Sequence, residues 1–134
     1  MDRDKVTELR LVVTTPDYVE ALHFYRDVLG LRAKASYSAA GGQVTVLEVG
    51  RATLELNDSA YAAYIDEVEV GRRVAGHMRV AFEVSDTESV TSDLVDAGAR
   101  LLAGPVRTPW GSLNSRLDGP GGLQLTLFSS EADS

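Results

Sequence analysis

Few side chains in this 134-residue chain can do chemistry, and their types narrow what that chemistry is. There is no cysteine. That excludes thiolate nucleophiles, CxxC redox pairs, thiolate zinc sites and disulfide frameworks together. Two histidines, His23 and His77, leave little material for a histidine-rich metal site. His77 follows Gly76 and stands two residues before Arg79, so an extended strand places both side chains on one face. The competing reading is a surface histidine at the start of a strand. His23 sits beside Phe24 and Tyr25, where packing or exposure accounts for it better than chemistry. Arginines and carboxylates remain. Arg10 and Arg79 recur at equivalent places in the chain, and Glu55 lies on an alternating segment between them. Such a set either recognises an anion (a carboxylate, phosphate or enolate) or ties itself into a buried Arg–Glu–Arg network. The two readings are compatible and both stay open; Glu83 is placed to neutralise part of the charge.

The equivalence of the arginines rests on an internal repeat. Leu9-Arg10-Leu11-Val12-Val13-Thr14-Thr15-Pro16-Asp17 aligns with Met78-Arg79-Val80-Ala81-Phe82-Glu83-Val84-Ser85-Asp86, so that Arg10 falls on Arg79 and Asp17 on Asp86. Gly50-Arg51-Ala52-Thr53-Leu54-Glu55-Leu56 resembles Gly121-Gly122-Leu123-Gln124-Leu125-Thr126-Leu127 in the same order. Each half reads as a strand, a helix and three strands. In the first, these are strand 8–14, a helix ended by Gly30, and strands 32–38, 43–49 and 51–57. In the second, they are strand 78–84, a helix ended by Gly98, and strands 99–104, 112–118 and 122–128. Thr15 is the expected N-cap of the first helix with Pro16 as its first residue, and Val19, Leu22, Phe24, Tyr25 and Val28 its apolar face. Ser85 and Glu88 form the expected capping box of the second. The reading is one α+β domain over 1–134. It has βαβββ modules at 7–57 and 77–129, a connector at 58–76 with a weak helical pattern, and a flexible tail at 130–134.

Strand alternation then sorts side chains by face. Leu54, Leu56, Val80, Phe82, Val84, Leu123, Leu125 and Leu127 belong under the helices. Val12, Thr14, Thr53, Ala81, Gln124 and Thr126 share the other face with the arginines and Glu55. That face either lines a cleft in a curved mixed sheet or is simply solvated. Tyr61 and Tyr64 in the connector could cap such a cleft or a seam between two copies.

Composition excludes further classes. Thirteen basic against twenty acidic residues give a net charge of −7 and a pI near 4.7. A duplex partner needs a basic face, so nucleic acid is not expected. No apolar run reaches the ~18 residues of a membrane span, and residues 1–8 lack the apolar core of a secretory signal. No membrane association and a cytoplasmic location are the expectations. The negative charge is expected outside, with a locally positive cleft.

These landmarks carry a family resemblance. Pro16-Asp17 together with His23-Phe24-Tyr25-Arg26-Asp27-Val28-Leu29-Gly30-Leu31 resembles the opening helix signature of the vicinal oxygen chelate superfamily. This group includes glyoxalase I, extradiol dioxygenases, methylmalonyl-CoA epimerase and bleomycin-resistance proteins. Ala81-Phe82-Glu83-Val84-Ser85-Asp86, Ala97-Gly98-Ala99, Trp110-Gly111 and Asp118-Gly119-Pro120-Gly121-Gly122 resemble its second-half landmarks. The resemblance spans about residues 7–129. It implies paired βαβββ modules forming a cup-shaped sheet, and a homodimer. It also places Trp110, Asn114 and Arg116 near the mouth of the cup. The family's metal-ligand positions fall on Arg10, Glu55, Arg79 and Thr126. Only Glu55 there is a metal ligand; arginine has no free lone pair. At ~4 Å and an effective dielectric of ~20, each guanidinium–dication contact costs roughly 4 kcal/mol per unit charge. No metal and no cofactor are therefore expected.

The function expected first is that of a metal-independent small-molecule binder of the bleomycin-resistance type, taking an anionic ligand if the arginines recognise it. Three alternatives stay open. One is an isomerase- or lyase-type enzyme acting on a carbonyl compound with Glu55 or His77 as acid–base. Another is a dioxygenase-like or glyoxalase-like metalloenzyme with Glu55 and His77 as an incomplete ligand set. The last is an interaction subunit with an empty pocket.

Overall fold

The computed structural model describes residues 5–130. Strand β1 (Val6–Thr14) leads into helix α1 (Tyr18–Leu22), which runs on as a π-helical turn over His23–Val28. Strands β2 (Ala33–Ala39), β3 (Gly42–Val49) and β4 (Ala52–Asn57) follow. Helix α2 (Ser59–Glu69) connects to β5 (Met78–Val84), α3 (Thr87–Asp96), β6 (Arg100–Arg107), β7 (Ser112–Gly119) and β8 (Leu123–Ser130). All eight strands form one mixed sheet in the order β2-β3-β4-β1-β5-β8-β7-β6. The first strands of the halves, β1 and β5, pair antiparallel at its centre, and each pairs in parallel with the last strand of its own half. The fold is α+β, and the two halves repeat one topology on either side of the β1–β5 seam.

Two caps differ from expectation in a consistent way. The N-cap of α1 is Asp17, whose carboxylate accepts from Glu20 N at 3.0 Å. Thr15 instead holds the approach, accepting from Asp17 N at 3.2 Å. The N-cap of α3 is Asp86, accepting from Ser89 N at 3.1 Å, in place of a Ser85–Glu88 box. A carboxylate satisfies an orphan N–H and also complements the helix dipole, which a hydroxyl does only weakly. The two caps occupy matching positions of the repeat.

The outer face is covered unevenly. Helix α3 lays Val90 onto Val84, Leu117 and Leu127, with Phe82, Leu94 and Ala99 at the margin. The first helix does not bury its expected stripe: Val19, Phe24 and Val28 are exposed, and α1 has no buried residue. The π turn, where Leu29 N reaches back to Phe24 O, breaks the 3.6-residue period on which that stripe depended. Tyr18 still anchors α1 through its hydroxyl to Thr45.

Helix α2 lies on the other, concave face. Tyr61 and Ile65 pack on Val44, with Ala39 and Tyr64 beside them. Its N-cap Asp58 accepts from Tyr61 N at 2.9 Å and from Gln43 N at 3.2 Å, joining the helix start to β3. Gly42 permits this contact, because a Cβ there would collide with the Tyr61 backbone. At the C-terminal end, Ser130 belongs to β8 and not to a tail, while 131–134 lie outside the described residues. No helix of the described residues is long and apolar enough to cross a membrane.

Candidate functional site

The concave face encloses a cleft of about 250 Å³, so the polar strand face lines a cavity instead of bulk solvent. Its centre is a chain of side chains crossing four adjacent strands. Arg10 on β1 donates through Nε to Glu8 at 3.1 Å and through Nη1 to Glu55 on β4 at 3.3 Å. The other Glu55 oxygen lies 4.0 Å from Arg79 Nη2 on β5. Arg79 Nη1 donates to Thr126 Oγ1 on β8 at 2.8 Å. The Arg–Glu–Arg relationship expected from the repeat is present, and it is lopsided.

Arg10 is well compensated. Burial pushes its pKa down, but the charge of Glu55 and the hydrogen bond and charge of Glu8 outweigh this and raise it. Its guanidinium also lies 5.0 Å from the centre of the Phe128 ring. Glu8 is held in turn: burial opposes its ionised form, yet bonds from Thr53 at 2.5 Å and from Arg10 lower its pKa. Arg79 is the opposite case. It is 6% exposed, its one side-chain hydrogen bond among the described residues goes to a neutral hydroxyl, and its carboxylate neighbour Glu55 is beyond hydrogen-bond reach. Burial and then the charge of Arg116 push its pKa down, against Glu69, Glu55 and Asp66.

Arg116 is not at the mouth of the cup. It is fully buried, with bonds to Glu69 Oε1 and Asp66 Oδ1 at 2.8 Å and to Gln124 Oε1 at 2.9 Å. Glu69 Oε2 accepts from Asn114 Nδ2 at 2.8 Å, and Gln124 Nε2 donates to Val74 O at 3.1 Å. This cluster bolts α2 and the segment after it onto β7 and β8. Arg116 and Gln124 therefore serve as scaffold, while Asn114 is both bolt and cleft wall.

Of the other expected residues, Glu55, Ala81, Glu83, Trp110 and Thr126 line the cleft. Glu83 accepts from Thr7 Oγ1 at 2.9 Å. Val12 is buried and is not in the lining, Thr53 is turned to Glu8, and Thr14 donates to Asn57 Oδ1 at 2.9 Å. His77 is corrected. It is exposed ahead of β5, its carbonyl accepts from Thr14 N at 2.9 Å, and its side chain is not part of the cleft lining. Carboxylates stand close to two of the three arginines, Glu8 and Glu55 to Arg10 and Asp66 and Glu69 to Arg116, while Arg79 has only Glu55 at 4.0 Å among the ion pairs of the described residues.

The structure adds residues that sequence reading passed over. Val44 and Val46 of β3 and Ile65 and Glu69 of α2 line the cleft, as does Tyr61. The four-residue spacing of Tyr61, Ile65 and Glu69, which puts them on one side of a helix, was the available signal. Burial, then the charge of Glu55, pushes the Tyr61 phenol up to about 12, so it stays a neutral donor.

The metal implied by the resemblance does not fit this donor set. Two guanidinium groups occupy two of the four positions, and the Thr126 hydroxyl already accepts from one of them. Among the described residues, no group of three or more His, Asp or Glu could hold a metal ion.

Comparison with known proteins adds the following. The family model of the Glyoxalase/Bleomycin resistance protein/Dioxygenase superfamily matches residues 9–127. Among solved structures, a hypothetical protein of Bacillus halodurans C-125 superposes with a TM-score of 0.68 at 16% identity, over 97% of this chain and 96% of that one. Methylmalonyl-CoA epimerase of Mycobacterium tuberculosis gives 0.63 at 20% identity, over 94% and 87%. A superfamily member from Vibrio splendidus 12B01 gives 0.62 at 12% identity, over 91% and 97%. Identities this low show shared fold alone. No curated protein matches the chain.

Proposed function

Because the chain belongs to the glyoxalase/bleomycin resistance protein/dioxygenase superfamily, we propose that it uses the superfamily's cup as a metal-independent binding cleft for a small molecule bearing an anionic group. One observation carries this reading. Arg79 is a buried cation at the cleft whose only side-chain hydrogen bond among the described residues goes to a neutral hydroxyl. A buried charge without close compensation is costly. An anion on its guanidinium would supply the missing charge-assisted bonds. Arg10 needs no ligand, because Glu8 and Glu55 already hold it.

Isothermal titration with a panel of small carboxylates and phosphates, each beside its neutral analogue, tests the proposal. Binding of an anion that is lost in Arg79→Met is expected. Equal affinity for the neutral analogues overturns the reading.

A second reading, catalysis by Glu55, draws support from its oxygen 4.0 Å from Arg79, which makes no hydrogen bond to that group. Turnover of a bound carbonyl acid by the native protein and its loss in Glu55→Gln would establish it. Binding without turnover in both would remove it.

The apolar side chains exposed on the outer face, among them Val19, Phe24, Val28 and Leu29, support a self-associating protein. Sedimentation as a 14.4 kDa species would overturn this.

A further inference from the structure

The cleft is divided by chemistry. The charged groups Arg10, Glu55, Arg79 and Glu83 sit on the central strands, while Val44, Val46, Tyr61 and Ile65, with Glu69 at the end of α2, form a wall from β3 and α2. Trp110 also lines the cleft, and Tyr64, outside the lining, links it to Tyr61. Tyr61 meets Tyr64 edge-on at 5.5 Å, and Tyr64 meets Trp110 at 6.1 Å. The three rings run from α2 across to the turn between β6 and β7. Trp110 is 40% exposed, so this end of the row faces open space.

Size limits the ligand. A dry cavity of ~150 Å³ takes benzene, and drug-sized ligands need roughly 300–1,000 Å³. At about 250 Å³, the cleft has room for one ring and a short polar arm. The Tyr61 hydroxyl makes no hydrogen bond among the described residues, although it belongs to the lining. It is a donor waiting for an oxygen.

We propose that the ligand is a one-ring carboxylic acid. Its carboxylate pairs with Arg79, its flat apolar body lies along the Val44–Val46–Ile65 wall beside Tyr61 and Trp110, and the Tyr61 hydroxyl donates to one of its oxygens. This rests on the anion-binding reading and deepens it. A flat apolar body matches the geometry of aromatic edges and faces, and a single anionic head matches the one under-compensated guanidinium.

The test is calorimetric titration of the full chain with benzoate, phenylacetate, butyrate and benzamide, repeated on Arg79→Met, Trp110→Ala and Tyr61→Phe. The ring acids should bind at least several-fold more tightly than butyrate. Benzamide should bind more weakly than benzoate. Tyr61→Phe, which keeps the ring and removes only the donor, should weaken the acids with little change in thermal midpoint. Butyrate binding as tightly as phenylacetate, with Trp110→Ala without effect, overturns the ring assignment and leaves the anion reading standing. Benzamide binding as tightly as benzoate overturns the anion reading itself. No binding of either ring acid at millimolar concentration overturns the proposal, and butyrate or phosphate then decides the anion reading.

Discussion

Arg79 donates to the Thr126 hydroxyl at 2.8 Å across the β5–β8 pair. By the family resemblance, both positions belong to the superfamily's metal-ligand set. Here they form a cation and its neutral acceptor. With Glu55 and Arg10 on β4 and β1, the four side chains make a contiguous polar chain at the floor of the cup. The repeat explains why they converge. Duplicated halves pair through their first strands, so equivalent residues of the two halves come together at the seam.

Replacing Arg79 by Met should leave the fold intact and remove anion binding. Glu55 keeps Arg10, and Thr126 loses only one donor, so no buried charge is orphaned. A buried ion replaced by an apolar group of similar volume is often neutral or stabilising by about 1–4 kcal/mol. The thermal midpoint should hold or rise. Arg10→Met differs, because Glu8 and Glu55 both lose a partner. It should cost about 1–3 kcal/mol. Equal destabilisation in the two variants, measured by urea unfolding, would refute the asymmetry between the arginines.

Arg116→Met should be far more damaging than Arg79→Met. Arg116 is 0% exposed and donates to Asp66, Glu69 and Gln124 together. Its loss leaves two buried carboxylates facing an apolar group. Breaking a buried pair in this way costs about 3–5 kcal/mol, which lowers the midpoint of a chain this size by roughly 10–20 °C. A drop of only a degree or two on a calorimetric scan would show that α2 is held by Tyr61 and Ile65 alone.

Residues 8–14 and 78–84 show plainly how much was legible. Alternation there put Arg10, Arg79, Ala81 and Glu83 on the face that proves to line the cleft. The repeat made the two arginines equivalent, and the family resemblance set Glu55 beside them. Local chemistry was read less well. Asp17 and Asp86 were aligned by the repeat, yet neighbouring hydroxyls were chosen as caps, because carboxylate and hydroxyl N-caps look alike in one sequence. Arg116 was misplaced because its depth depends on α2. The amphipathic pattern of α2 is weak: it buries Asp66 and Glu69 together with Tyr61 and Ile65. A helix that buries charge against a partner arginine cannot be recognised by hydrophobic periodicity.

Stability should fall on acidification. Burial works to raise the pKa of Asp66, but bonds from Ala75 N, Arg116, Val74 N and Arg73 together hold it below the ordinary 3.8. Glu8 is likewise lowered, with Thr53 and Arg10 overcoming burial. In both cases the unfolded chain takes up the proton at higher pH than the folded one. Their stabilisation is thus complete above the unfolded-state values and is lost as pH drops through the folded ones. The urea midpoint should decline from about pH 5 towards pH 3. Asp66→Asn should flatten that decline, from a lower starting stability. An unchanged pH slope in the variant would remove Asp66 as a contributor.

Metal selectivity of the floor should be reversible by substitution. In the native protein, millimolar Mn²⁺ or Ni²⁺ should give no rise in thermal midpoint, because two guanidinium groups stand where donors are needed and neither has a lone pair to offer. The triple variant Arg10→His, Arg79→His, Thr126→Glu places two imidazoles and a second carboxylate around Glu55 on the same four strands. Imidazole and carboxylate oxygens are suitable ligands for these ions. A ligand at ~100 times its Kd stabilises by ~2.7 kcal/mol, so binding to the variant should appear as a clear upward shift, confirmed by equilibrium dialysis. Tight retention of a divalent ion by the native protein would overturn metal independence. A folded triple variant that takes up no metal would show that the four positions do not converge closely enough to form one site.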